Sequence, residues 1–244
     1  GLTFETLTAT TAVRPQGSAD YERYIGTWTV TTTSSEVTGQ PQTYTIRIEP
    51  YRNDKSYKVY DWGVTTLGSK EEDFPFILSY NEADGSVGIN SYEDLGMYGF
   101  TYYIYLRYRF LNEQSQPSIW VSEDTLVSGA YDAASNEITI TCGTFNDNSG
   151  ITQKITGLDY VLYTGGKYYE AQNLIRPGYL IGEGDNAKVD YGVGPYKLTK
   201  APAAAAVPAK RPAKKFESLR PASETKQAAA VPLGVGRLSM MSVH

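Results

Sequence analysis

Alternation with a period of two runs through most of the first 200 residues. Residues 99–110 carry it furthest: Phe100, Tyr102, Ile104, Leu106, Tyr108 and Phe110 fall on one face, and Thr101, Tyr103, Tyr105, Arg107 and Arg109 on the other. Successive strand side chains point to opposite sides, so the pattern predicts one long strand. Its length suits the full wall of a barrel or curved sheet, with the arginines turned to water. Residues 43–49 alternate as well, with Tyr44, Ile46 and Ile48 opposed to Thr45, Arg47 and Glu49. Pro50 then predicts the end of the run or an edge position, because proline cannot donate to a ladder. The first core strand opens at Gly26-Thr27-Trp28 and places Trp28, Val30 and Thr32 on one face. Further strands are predicted over 56–64, 74–80 and 158–164, with a closing strand over 196–199. Helical i, i+3, i+4 spacing is almost absent before residue 200.

Two hairpins can be laid over one another without a gap. Tyr80 to Ile89 and Tyr131 to Ile140 each run from an aromatic through a polar loop to Gly85 or Asn136, and then resume as alternating β-branched residues. Glycine and asparagine tolerate the positive φ of tight turns, so each reads as a strand–turn–strand unit.

Composition changes the picture at one place. Up to Lys200 the chain is rich in Tyr, Thr and Gly, which fit half-buried strands and turns. From Ala201 onward Ala, Pro and scattered Lys/Arg take over, a composition that cannot bury enough apolar area to offset its ordering entropy. Charge splits at the same point. From Lys200 onward eight basic and two acidic residues give +6, whereas the preceding 14 Lys/Arg and 25 Asp/Glu give −11. Residues 1–19 therefore read as a linker or leader strand, 20–200 as one antiparallel β domain, and 201–244 as a basic, non-globular tail. Within the tail, residues 228–243 are apolar enough to dock on an edge or on a second copy. The acidic body argues against nucleic acid as its partner, since it repels phosphate.

Candidate chemistry is sparse. Cys142, the only cysteine, shares a strand face with Ile138 and Ile140 and reads as a small buried hydrophobe. The sole histidine, His244, is the last residue, which removes Ser-His-Asp and Cys-His nucleophiles and His-based metal sites from consideration. The acidic clusters at 71–73, 93–94 and 123–124 sit in turn-like stretches where carboxylates are solvated, and the loops at 81–84 and 146–148 lack the ligand spacing of a calcium loop. No cofactor and no metal are expected, and no enzymatic activity. No run of 18 apolar residues predicts a membrane-spanning helix.

Gly26-Thr27-Trp28 resembles the Gly-x-Trp signature of lipocalin-like (calycin) barrels, and Asp159-Tyr160-Val161-Leu162-Tyr163 resembles that family's Asp-Tyr-x-x-Tyr segment. The chain departs from the family in having Leu158 where a threonine stands, in a longer spacing between the two segments, and in lacking a recognisable closing arginine. The hairpins and the Tyr/Thr texture of residues 20–200 also resemble uncharacterised secreted lipoproteins of gut Bacteroidetes. These likenesses imply an antiparallel lipocalin-like barrel (a two-sheet β sandwich is the alternative), export to the surface or periplasm, and a lipid anchor on a residue preceding this sequence.

Two functions follow as expectations. The first is a non-enzymatic binding protein, taking a small hydrophobic ligand in a cavity or a glycan on an aromatic platform, with Trp28, Trp62, Tyr102, Tyr108, Trp120 and Tyr160 as contact residues. The second is a protein-interaction module in which residues 228–243 add a strand to a sheet edge of a partner or a second copy.

Overall fold

The computed structural model describes residues 16–63, 74–98, 101–170, 178–181, 188–201 and 229–232. The leader over 1–15, the acidic cluster at 71–73, Phe100, the turns at 176–177 and 182–185, residue 228 with the rest of the tail over 202–227, and residues 233–244 with His244 lie outside them.

In chain order, helix α1 (Ala19–Glu22) precedes β1 (Gly26–Ser35), β2 (Thr43–Arg52), β3 (Ser56–Tyr60), β4 (Phe76–Tyr80) and β5 (Val87–Ile89). Then come β6 (Glu93–Tyr98), β7 (Tyr102–Leu111), β8 (Pro117–Val121), β9 (Val127–Asp132) and β10 (Glu137–Cys142). The chain continues through β11 (Thr144–Asn146), β12 (Thr152–Thr164), β13 (Lys167–Glu170) and β14 (Gly178–Ile181) to β15 (Lys188–Lys200) and β16 (Ala229–Pro232).

Eight antiparallel strands close a barrel in the order β1-β2-β3-β4-β5-β9-β10-β15, with β15 pairing back onto β1. Closure leaves no edge on these strands and turns alternate side chains inward. Trp28, Val30, Ile46, Ile48, Val59, Leu78, Ile89, Ile138, Ile140 and Leu198 are all buried there. Pro50 does not end β2. Tyr57 pairs with it, and the register shifts between Pro50 and Arg52, so the strand runs on to Arg52 through a bulge that accommodates the missing donor.

One end of the barrel, the base, carries the β2–β3, β4–β5 and β9–β10 turns and α1. Gly85 and Asn136 both have positive φ, at 71° and 60°, as their turns require. The matched hairpins meet at Tyr24. Its hydroxyl donates to the Gly85 carbonyl (2.7 Å) and accepts from the Tyr131 N–H (2.9 Å), while its ring sits edge-on to Tyr80 and Tyr131. Trp28 plugs the base, its indole N–H donating to the Tyr24 carbonyl at 2.7 Å. Lys200 lies over it: its ammonium is 4.1 Å from the centre of the Trp28 ring and donates to the Ile25 carbonyl at 2.6 Å. Helix α1 is a single turn capped by Ser18, which accepts from the Tyr21 N–H, and is too short to show a helical period in the sequence.

The opposite end, the mouth, is where two long insertions leave the barrel. Strands β6–β8 lie between β5 and β9, and β11–β14 between β10 and β15. Together with β16, all of these but β14 build a second sheet in the order β11-β12-β7-β8-β16, with β13 also on β12 and β6 also on β7, while β14 pairs with β15. Residues 102–111 are thus the centre of this inserted sheet, not a barrel wall. A period-2 pattern identifies a strand and its two faces, but not the sheet to which it belongs.

The inserted sheet seals the mouth. Ile104, Leu106, Tyr108, Phe110, Trp120, Ile155, Leu158, Tyr160 and Leu162 join the barrel interior in one continuous apolar core. Gly157 marks the closest approach: a Cβ there would lie 2.4 Å from the Tyr196 hydroxyl and 3.0 Å from the Gly192 carbonyl, both on β15. Only glycine lets β12 press this near the barrel.

Candidate functional site

Of the six residues expected to contact a ligand, Trp28 lies at the base, Trp62 follows β3, and Tyr102, Tyr108, Trp120 and Tyr160 lie on the inserted sheet, where Tyr108 and Trp120 are directly opposed. Trp28 is the base plug. Trp62 follows β3, is 2 % exposed, and packs edge-on against Tyr44, Phe76 and Tyr196. Trp120 is 5 % exposed and stacks on Phe145 at 4.1 Å. Tyr108 is fully buried, donating to the Ile89 carbonyl (2.6 Å) and accepting from the Leu126 N–H (2.9 Å). Those bonds tie the inserted sheet to the end of β5 and the start of β9, and burial pushes the phenol up to about 12. Tyr160 is buried in the same core, and Tyr102 is half-buried against it. Neither Trp62 nor Trp120 forms an exposed platform for a sugar ring. Cys142 is half-buried beside this core with its thiol pushed up to about 12 by burial, which suppresses the reactive thiolate.

Polar chemistry is concentrated where the inserted sheet meets the barrel rim. Arg107 and Arg109, expected in water, are 0 % and 3 % exposed. Arg109 donates through Nη1 to Asp159 at 2.6 Å and through Nε to Glu36 at 3.0–3.1 Å, beneath the ring of Tyr191 at 3.6 Å. Glu36 belongs to the β1–β2 loop, so the guanidinium clasps barrel rim to inserted sheet. Thr156 adds a hydroxyl donor to Glu36 at 3.0 Å. The same loop is held by Asp190, whose carboxylate accepts from the Val37 N–H (2.8 Å) and the Ser35 and Thr38 hydroxyls (2.9 and 2.7 Å). Arg107 donates to the Ser91 and Leu106 carbonyls and lies over Tyr105 at 4.3 Å, with Tyr92 and Tyr168 beside it. Their burial was illegible because groups distant in sequence supply the main partners, carboxylates for Arg109 and the Ser91 carbonyl with tyrosine rings for Arg107, and nothing in the strand's alternation encodes them.

A second link runs from β6 to β4. Both oxygens of Glu93 accept from the Ile77 N–H at 3.0 Å. Burial pushes this carboxyl up to about 7, with Asp94 adding to the rise, while the Ile77 N–H and Lys58 oppose it.

The inserted sheet also presents an edge. Strand β8 pairs on one side with β7, from Tyr108↔Trp120 to Leu111↔Pro117. On its other side it accepts β16, from the basic tail, with Ala229↔Val121, Ala230↔Trp120, Val231↔Ile119 and Pro232↔Ser118. Both faces of β8 are apolar. Trp120 points into the barrel-side core, while Ile119 and Val121 belong to a second cluster with Tyr105 and Val161, fringed by Tyr92, Tyr103, Tyr163 and Tyr168. A strand buried on both faces with an open row of N–H and C=O groups is a template for another strand.

These features define a class: a closed, eight-stranded antiparallel barrel, compatible with a lipocalin-like one, whose mouth is sealed by an inserted sheet with a strand-accepting edge. Compared with protein-family models, curated proteins and solved structures, the chain matches none. Among the described residues, no helix is long and apolar enough to cross a membrane.

Proposed function

We propose that the chain is a non-enzymatic protein-interaction module that takes an extended polypeptide segment by strand addition at the outer edge of β8. The observation that carries this reading is the four-residue antiparallel register of Ala229–Pro232 on β8, reached across the intervening residues 202–228. Main-chain hydrogen bonds give such a site its affinity, and the pockets beside alternate side chains give it selectivity. Pro232 sets the limit of the added strand, because it has no N–H to continue the ladder. Export to the surface or periplasm goes with this reading and is supported by the Thr/Tyr-rich strands.

The test uses the full chain with Ala230→Pro and Val231→Pro together. Successive amides of a strand point to opposite edges, so one of the two prolines must remove a ladder donor. A synthetic peptide of residues 226–236 is expected to bind this variant at least about tenfold more tightly than the unsubstituted chain, whose own strand competes. A folded variant that fails to bind the peptide would refute strand addition at β8.

A further inference from the structure

We infer that the β8 edge selects its strand at three consecutive positions: a β-branched residue opposed to Val121, a small residue opposed to Trp120 and a β-branched residue opposed to Ile119. This rests on the strand-addition reading above and names the class of segment that the edge takes.

Both ends of the edge are closed, which fixes the frame. Past Val121, the Ser122 N–H donates to Ser91 Oγ at 2.9 Å and the Ser122 carbonyl accepts from the same hydroxyl at 3.0 Å. At the other end Pro117 has no N–H. Gln116 before it spends its N–H on the Asn112 side-chain oxygen (2.8 Å) and its carbonyl on the Asn112 N–H (3.0 Å). Ser118 to Val121 remain, and these are the residues that Pro232, Val231, Ala230 and Ala229 oppose.

The two faces of this short edge differ in the room they leave. Directly opposed residues of an antiparallel pair share a face, with Cβ atoms about 5 Å apart, so each β8 side chain sizes the residue across from it. The inner face is full. Trp120 stacks on Phe145 with ring centres 4.1 Å apart, and Phe145 sits edge-on to Phe110 at 5.0 Å. Tyr108, opposed to Trp120 on its other flank, is fixed by hydroxyl bonds to the Ile89 carbonyl and the Leu126 N–H. A large residue opposed to Trp120 must push into this packing, which tolerates added volume poorly. The outer face is more open. Ile119 and Val121 pack with Tyr105 and Val161 in a cluster whose margin, Tyr92, Tyr103, Tyr163 and Tyr168, is half-buried. A β-branched residue opposed to Ile119 or Val121 extends that cluster as a cross-strand pair.

The chain's own segment meets two of the three requirements. Ala230 is the small residue opposed to Trp120 and Val231 the β-branched one opposed to Ile119, whereas Ala229 falls short opposite Val121. Alternation of large and small also sets the register, since a slip of one residue would bring every side chain to the wrong face.

The experiment measures, by fluorescence anisotropy, the binding of labelled 226–236 peptides to the full-length Ala230→Pro, Val231→Pro chain. Three peptides are compared: the natural sequence, Ala229→Ile and Ala230→Phe. The Ala229→Ile peptide is expected to bind about twofold to fivefold more tightly than the natural one, and the Ala230→Phe peptide at least about tenfold more weakly. Adding Trp120→Val to the acceptor chain makes room on the inner face only, so the Ala230→Phe peptide should then bind at least as tightly as the natural one. If the Ala230→Phe peptide binds the first acceptor as well as the natural peptide does, or Ala229→Ile brings no gain, the selectivity is overturned and strand addition stands. If no peptide binds the folded acceptor, strand addition at β8 fails, and the selectivity with it. Should the chain with Trp120→Val not fold, the three peptides on the first acceptor decide alone.

Discussion

The barrel and the inserted sheet solve the same problem in opposite ways. Every barrel strand has at least two neighbours, so its polar backbone groups are satisfied by closure, and its side chains divide largely into inward apolar and outward polar. The inserted sheet remains open. It buries apolar side chains on both faces, needs an arginine clasp to sit on the rim, and ends at β8 in an edge that a distant segment covers. A closed sheet is self-sufficient, whereas an open sheet buried on both faces depends on partners, which is why the interaction reading attaches to the second.

The sharpest way to break the comparison is to remove the clasp. Arg109→Ala leaves the buried carboxylates of Glu36 and Asp159 without their shared cation and is expected to cost about 3–5 kcal/mol in urea unfolding. Replacing all three by Met, Gln and Asn should recover much of that loss, because an uncharged rim needs no clasp. A small effect of Arg109→Ala would mean that apolar packing alone holds the sheet.

Glu93 provides a pH-dependent version. Its folded carboxyl is raised to about 7 from an ordinary 4.5, so the native chain takes up this proton more readily than the unfolded chain. The group therefore adds stability as pH falls from above 7 toward 4.5, and that contribution is lost as pH rises through 7. A change of about 2 kcal/mol between pH 8 and pH 5 is expected from this residue, and Glu93→Gln should flatten it. An unchanged pH profile in the variant would place the titration elsewhere.

The smallest effect belongs at the base. Lys200→Ala removes the ammonium over Trp28 and its bonds to the Ile25 and Arg23 carbonyls, for about 1 kcal/mol by thermal unfolding. Lys200→Arg should retain most of that stability. The inserted sheet should be indifferent to both.

The same contrast decided what could be read from the sequence. Barrel strands and turns were legible because local chemistry fixes them: alternation in β1, β2 and β10, and Gly85 and Asn136 at positive φ. Tyr80 and Tyr131 occupied matched positions because they flank the same residue, Tyr24. Lys200 was missed because a lysine at the end of a strand ordinarily points to water, and only the fold brings it over Trp28. In the inserted sheet, residues 99–110 were read as a strand spanning the wall of the barrel, whereas β7 over Tyr102–Leu111 is the centre of the inserted sheet, and Arg107 and Arg109 were placed in water. Their partners, Glu36, Asp159 and Ser91, come from other elements. The six aromatic and tyrosine positions expected to line a ligand site were correctly apolar in character. Alternation does not distinguish lining a cavity from filling one; in the structure five of the six belong to the buried core and Tyr102 packs against it. The tail's apolar stretch was legible as a docking segment, and the part described, Ala229–Pro232, lies on a sheet edge.

Hydrogen exchange at the amides of residues 117–121 tests the central claim most directly. In the full chain they are expected to be protected on both edges of β8, by β7 and by β16. In the Ala230→Pro, Val231→Pro chain, the amides facing β16 should lose protection while those of β1, β10 and β15 keep theirs. Equal protection of β8 in both chains would contradict the account, because its outer edge would then owe nothing to the added strand.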